Sequence, residues 1–384
     1  RGQSAGRPPP ATFALIFLLV LQCTAAMGAS QAPGAGNLAA DSAQITKYLT
    51  EAQNANNVPA MALALFDGGH PTLLSAWGLS AAGEDVTVDT PFRWGSITKT
   101  FTALALLRLV EQGKLSLEQP LREVLPQDTF ANPWQRSNPV TLAQLLELSA
   151  GFSDLTALEF NYNEPLSLAA AMDLSPRSRQ ALWPPGLQHS YSNSTPGLTA
   201  AVVEAVTGER FEAFIRSEIL RPLGMPTAQL EPVAGLPGGF KADGKTPIAY
   251  WHMTFRAFGA LNASIREMAA FLGVLLNQGY AAGHARDPAT SAAIFSPATL
   301  GRLFRAHTGL AGEGRLPVSY GAGSYGWVSH GHVFYGHGGD ADGYRARYGL
   351  LPDLGRGYAI VINVDNNPLL KRMQRKIEAH LTRG

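Results

Sequence analysis

Cysteine is almost missing from this sequence. Of 384 residues only Cys23 is one, and it falls in an N-terminal stretch unlike the rest of the chain. A single thiol closes no disulfide and builds no cysteine-ligated metal site. Charge is sparse as well, at 15% of residues, and nearly balanced, with a formal net charge of +1. That balance leaves no electrostatic footprint for nucleic acid, so no nucleic-acid partner is expected. Long apolar runs are lacking except for Ala11 to Leu21, which is too short for a comfortable membrane span. Internal repeats and low-complexity tracts are absent. His330 and His332 sit at strand spacing and, with His337, are a conceivable metal set, but no carboxylate-rich motif lies near them, and neither metal nor cofactor is expected.

What is present divides the chain. Arg1 and Arg7, the apolar run, and the small residues around Ala25 to Ser30 have the layout of a secretory signal peptide over residues 1–29. An exported protein, periplasmic or secreted and without a stable transmembrane anchor, is the expectation. Losing both arginines takes the formal charge to −1. Residues 30–40, rich in Gly, Ala and Pro, read as a flexible lead-in. The rest, 41–384, reads as one domain, since a 46% hydrophobic composition can fill a sizeable core.

Periodicity gives the architecture. Helical spacing from Asp41 to Asn57 precedes two short apolar runs, Pro59–Phe66 and Pro71–Trp77, that read as a hairpin. After an apolar helix ending near Gly113, residues 115–126 read as a loop. Helices follow near Thr141, Leu166–Met172, Gly197–Val206, Phe211–Leu220 and Ser264–Asn277, the last opened by the capping box Ser264-Ile-Arg-Glu267. Beyond Tyr320 the period shortens to strands at Val333–Tyr335, Tyr344–Tyr348 and Tyr358–Val364, and Pro368 opens a terminal helix to Leu381. An α+β fold follows: an antiparallel sheet built from both chain ends, about 41–115 and 320–384, flanked by helices, with a mostly helical lobe, about 116–319, inserted between them.

The chemistry centres on Trp94-Gly95-Ser96-Ile97-Thr98-Lys99. Residues three apart share a helix face, so the Lys99 amine can reach the Ser96 hydroxyl. The helix that follows is apolar nearly all round, so Lys99 would be desolvated and favoured as a neutral base, while backbone N–H groups at the helix start can stabilise an oxyanion. Alone, the motif is also what a helix cap and a snorkelling lysine look like. Tyr191 and Asn193 lie in a polar turn before a helix, where they can shuttle protons and orient a carbonyl, or merely cap that helix. His337-Gly338-Gly339 follows a strand, where glycines let backbone approach a ligand or simply make a turn.

Together, Ser96-x-x-Lys99, Tyr191-x-Asn193 and His337-Gly338-Gly339, spaced 95 and 146 residues apart, resemble the three motifs of the serine penicillin-recognising hydrolases. Phe92–Ala103, Leu145–Asp154 and Gly259–Ser264 extend the resemblance over most of 40–384. It implies a β-lactamase/transpeptidase-like fold and the branch holding class C β-lactamases, D-alanyl-D-alanine carboxypeptidases, D-aminopeptidases and β-lactamase-like esterases. By that resemblance Ser96 forms an acyl-enzyme and Lys99 and Tyr191 share the proton work, with the lysine depressing the phenol's pKa. Asn193, His337, Gly338 and Gly339 bind substrate, and the backbone N–H groups of Ser96 and Asp340 form the oxyanion hole. Which of Lys99 and Tyr191 is the base stays open. His337 stands where class C enzymes carry lysine, and Gly338 where they carry a hydroxyl. The expected substrate is a small molecule or peptide, with ester, amide or D-amino-acid peptide bonds ahead of the carboxypeptidase and β-lactamase alternatives, and a penicillin-binding sensor as the non-catalytic one. Leu148 replaces a histidine common among relatives.

Overall fold

In the computed structural model the described residues are 38–281 and 292–383. The expected signal peptide, Cys23 and most of the lead-in lie outside them. The first helix, α1 (Leu38–Ala55), begins inside the stretch expected as lead-in. Residues 38–383 form one compact unit.

Two strands from the N-terminal side, β1 (Ala60–Asp67) and β2 (His70–Gly78), join four from the C-terminal side, β3 (Tyr325–Ser329), β4 (His332–Ala341), β5 (Tyr344–Leu351) and β6 (Arg356–Ile362). They form one antiparallel sheet in the order β2-β1-β6-β5-β4-β3. Alternation along β1 shows how its two faces differ. Met61, Leu63 and Leu65 point to one side and Ala60, Ala62 and Ala64 to the other. The large residues meet Ile45 and Leu49 of α1 and Leu370, Met373 and Ile377 of the C-terminal helix Asn367–Leu381. Alanines on the opposite face let helices of the main core come close.

That main core surrounds α2 (Thr98–Glu111), buried along nearly its whole length. Its threonines lie inside because each hydroxyl is satisfied by another segment's backbone. Thr98 Oγ1 donates to Gly95 O at 2.7 Å, Thr100 Oγ1 to Gly323 O at 2.6 Å and Thr102 Oγ1 to Ala257 O at 2.7 Å. The inserted lobe contributes Thr195–Thr207 and Ile265–Leu276, the latter with the expected Ser264/Glu267 capping box. Three departures from the sequence reading matter. Short ladders also lie outside the main sheet, such as Pro91–Arg93 with Asn262–Ser264, too brief for any periodicity. The region expected as a helix from Phe211 to Leu220 changes from α to a π turn at Ile215. The segment Gly336–Asp340, expected to follow its strand, lies within β4 instead. Among the described residues no helix is long and apolar enough to cross a membrane.

Candidate active site

Ser96 sits in a single 3-10 turn, Gly95–Ile97, that leads into α2. Strand β4 lies against this turn, and two glycines make the approach possible. Gly95 has φ +52°, and a Cβ there would fall 2.6 Å from Asp340 N; a Cβ on Gly339 would fall 1.8 Å from Trp94 O. Neither position tolerates a side chain, so the backbones of Ser96 and Asp340 are held side by side.

Lys99 is 3% exposed. Its Nζ donates to Ser96 Oγ at 3.1 Å, Asn193 Oδ1 at 2.7 Å and Phe258 O at 2.9 Å. Burial lowers its pKa from 10.5 to about 7, and the charge of Asp154 acts against that fall. Leu148, with φ +51°, lines the small space beside Lys99 together with Leu145 and Tyr320. It therefore belongs to the apolar wall that dries the amine.

Asn193 is clamped by Asp154, whose Oδ1 accepts from Asn193 N at 2.7 Å and whose Oδ2 accepts from Asn193 Nδ2 at 3.0 Å. The amide nitrogen is thereby turned away and the amide oxygen faces Lys99. Tyr191 has 39% of its surface exposed, yet its hydroxyl turns inward to Ser96. Its pKa is raised, because desolvation outweighs the Ser96 hydrogen bond and because Tyr325, Asp154 and Asp340 add to the rise. This corrects the expected depression of the phenol by Lys99. The two side chains do meet, with Nζ 4.9 Å from the Tyr191 ring centre, but desolvation prevails.

His337 is 2% exposed. Its Nδ1 donates to Gly338 O, since a carbonyl only accepts, and Nε2 therefore accepts from Tyr320 O–H at 3.0 Å. Burial and the nearby Lys99 lower its pKa to about 3, so the ring is neutral. Sequence reasoning counted the ring as a substrate contact, whereas both nitrogens are used within the protein. The volume left empty at Gly338 is also filled: a Cβ there would lie 2.3 Å from Arg347 Nη1. Arg347 faces Gly338 across β4 and β5 and donates from Nη1 to the Tyr325 hydroxyl.

These groups converge on a cleft of about 430 Å³ lined by Ser96, Tyr191, Asn193, Tyr325, Asp340 and Arg347, among others. One wall is an open strand edge, since the pairing of β4 with β3 stops at Gly336 and Tyr325. Residues 337–341 pair only with β5. Among the described residues no cluster of His, Cys, Asp or Glu is arranged to hold a metal. Asp154, Tyr320 and Arg347 were not singled out from sequence. Arg347 had a signal: a two-residue Asp342-Gly343 turn sets Ala341 opposite Tyr344 and, counting back, Gly338 opposite Arg347.

The beta-lactamase family profile matches residues 45–382. A penicillin-binding protein 4 from Amycolatopsis lactamdurans is 27% identical over 65% of this chain and 68% of its own length. A beta-lactamase from Escherichia coli K12 is 29% identical over 47% of this chain, and the match spans 45% of that protein, less than half of it. Among solved structures, an octameric penicillin-binding protein homologue from Pyrococcus abyssi superposes with a TM-score of 0.73 at 22% identity, over 90% of this chain and 78% of that one.

Proposed function

The chain belongs to the beta-lactamase family, and from that premise we propose that it is an exported serine hydrolase that cleaves ester, amide or D-amino-acid peptide bonds through an acyl-enzyme. The observation that carries this reading is Lys99 Nζ, 3.1 Å from Ser96 Oγ with a pKa of about 7. Near neutral pH much of this lysine is unprotonated and able to take the Ser96 proton as Oγ attacks the substrate carbonyl. The backbone N–H groups of Ser96 and Asp340 receive the oxyanion. Tyr191, whose raised pKa keeps it protonated, gives its proton to the departing alkoxide or amine and regains one from Lys99. Water then repeats the attack on the acyl-enzyme. Lys99 is thus the base and Tyr191 the shuttle, the choice that sequence left open. His337 acts by holding the strand that carries Asp340.

An extended substrate suits the open edge of residues 337–341. Short-chain esters and D-aminoacyl amides with no carboxylate beside the scissile bond are the favoured class, because the third motif has neither lysine nor hydroxyl and Asp340 stands beside the cleft. A second reading, D-alanyl-D-alanine carboxypeptidase activity, is favoured by Arg347, which offers the substrate side of Gly338 a cation able to bind a terminal carboxylate.

A fluorophosphonate should label Ser96 alone, and Ser96→Ala should abolish turnover of p-nitrophenyl acetate. A label elsewhere, or turnover surviving in Ser96→Ala, sinks the mechanism. A single acylation without steady-state turnover of any ester would identify a penicillin-binding sensor instead. Nitrocefin cleaved faster than every ester and D-aminoacyl amide tested would overturn the substrate preference.

A further inference from the structure

Arg93 stands three residues before Ser96, on the short strand Pro91–Arg93. It is 3% exposed. Its Nη2 donates to Trp251 O at 3.0 Å, its guanidinium stacks 4.3 Å above the Tyr250 ring, and its buried Nε has no partner. No acidic side chain among the described residues pairs with it. An arginine stays charged, and a buried cation without an anion is costly. Arg93 lines a cavity of about 340 Å³ whose other walls include Val233, Leu236, Ile248, Tyr250 and Tyr344. Asp342 is a wall of both this cavity and the catalytic cleft, and its Oδ2 is taken up by Asn161 Nδ2 at 2.7 Å.

We infer that this second cavity is a subsite for the distal carboxylate of the substrate, with Arg93 as its counter-ion. A guanidinium fork matches the planar carboxylate, the aromatic stack holds the fork in place before a ligand arrives, and the aliphatic walls accept the methylene or aryl body behind the charge. A single arginine with Asp342 nearby suits a monoanion over a phosphate dianion. The inference rests on the proposed hydrolase reading, and it names the substrates that this hydrolase prefers: acids carrying a free carboxylate at a distance from the scissile bond, on the acyl or the leaving-group side.

Two series of esters test it. In the first, mono-p-nitrophenyl esters of straight-chain dicarboxylic acids from succinate to sebacate are compared with their methyl-capped neutral twins. In the second, acetyl esters of hydroxyphenyl-alkanoic acids, with the carboxylate on the leaving group, are compared with the corresponding methyl esters. In one series, at one or more lengths, the charged member should show a KM about tenfold lower than its twin, the scale of one desolvated charge-assisted pair. Arg93→Gln should remove that preference while leaving the neutral twins within about threefold of wild type. Val233→Glu, which sets a negative charge in the cavity wall without touching Arg93, should do the same and decides the matter if Arg93→Gln does not fold. Equal KM values in both series, or a preference that survives in the folded variants, overturns the subsite. Turnover of the neutral twins reports separately on the hydrolase reading. If none is turned over, calorimetric binding of hexanoate against hexanamide to wild type and Val233→Glu measures the same preference, and equal affinities overturn it.

Discussion

Lys99 carries a pH dependence whose sign follows from its surroundings. In the unfolded chain it titrates near 10.5, in the folded one at about 7. If it is the base, kcat/KM for a neutral ester falls about tenfold for each pH unit below 7 and is flat above it. The same depression acts on stability. Between pH 7 and 10.5 the unfolded chain holds a proton that the folded chain has lost, so stability gained at this site is absent below 7 and accumulates as pH rises through that window. Wild type should therefore gain on Lys99→Met in urea unfolding as pH goes from 6 to 10; a constant gap would mean that the lysine stays charged when folded. Asp154 gives a second test. Its charge holds the Lys99 pKa up, so Asp154→Asn should move the acid limb of kcat/KM to lower pH. Loss of the paired clamp on Asn193 should also lower kcat about tenfold, on the scale of one weakened hydrogen bond to a charged group. An unmoved acid limb would remove Asp154 from the electrostatics. At this scale Ser96, Lys99, Tyr191 and Asn193 were legible because short fixed spacings carry their chemistry. Asp154 and Tyr320 act on partners 39 and 17 residues away, with no fixed spacing to reveal them, whereas the Arg347 pairing followed from a turn.

Among the elements, the junction between β4 and the 3-10 turn of Ser96 is tightly constrained. Gly339→Ala would set a methyl against Trp94 O and push the strand off the turn. If the Asp340 N–H is half of the oxyanion hole, kcat should drop by about 10²-fold with little change in KM, the cost of losing one such donor. Crystallography of the variant would show the strand displaced. Normal kcat with a displaced strand would exclude the Asp340 amide from the reaction. The hairpin of β1 and β2, α2, the capping box of Ser264 and the terminal helix were legible from pattern and caps. The strand Tyr325–Ser329 and the short ladders were not. Tyr325–Ser329 alternates poorly, since Gly326 and Val328 share one face and yet the first is buried and the second exposed, and ladders of two or three residues have no period to detect.

Both ends of the described chain close on one face of the sheet, while Ser96 lies on the other. This split makes stability and activity separable. Ile377 is fully buried among Ile45, Leu49, Met61 and Leu63, so Ile377→Ala leaves a cavity costing about 2–5 kcal/mol. Its side chain touches nothing in the catalytic cleft. Urea unfolding should show the loss in full, while kcat/KM per folded molecule stays at the wild-type value. Removing residues 367–384 is a larger change of the same kind. Leu369, Leu370, Met373, Ile377 and Leu381 all leave the core. At about 1.5–3 kcal/mol for each buried side chain, the loss is comparable to the roughly 5–15 kcal/mol that holds a whole domain together. The truncated chain should therefore be recovered only in the insoluble fraction. A soluble truncated protein with normal kcat/KM would mean that the sheet face under the terminal helix needs no cover, and that the account of a sheet covered by helices on both faces is wrong.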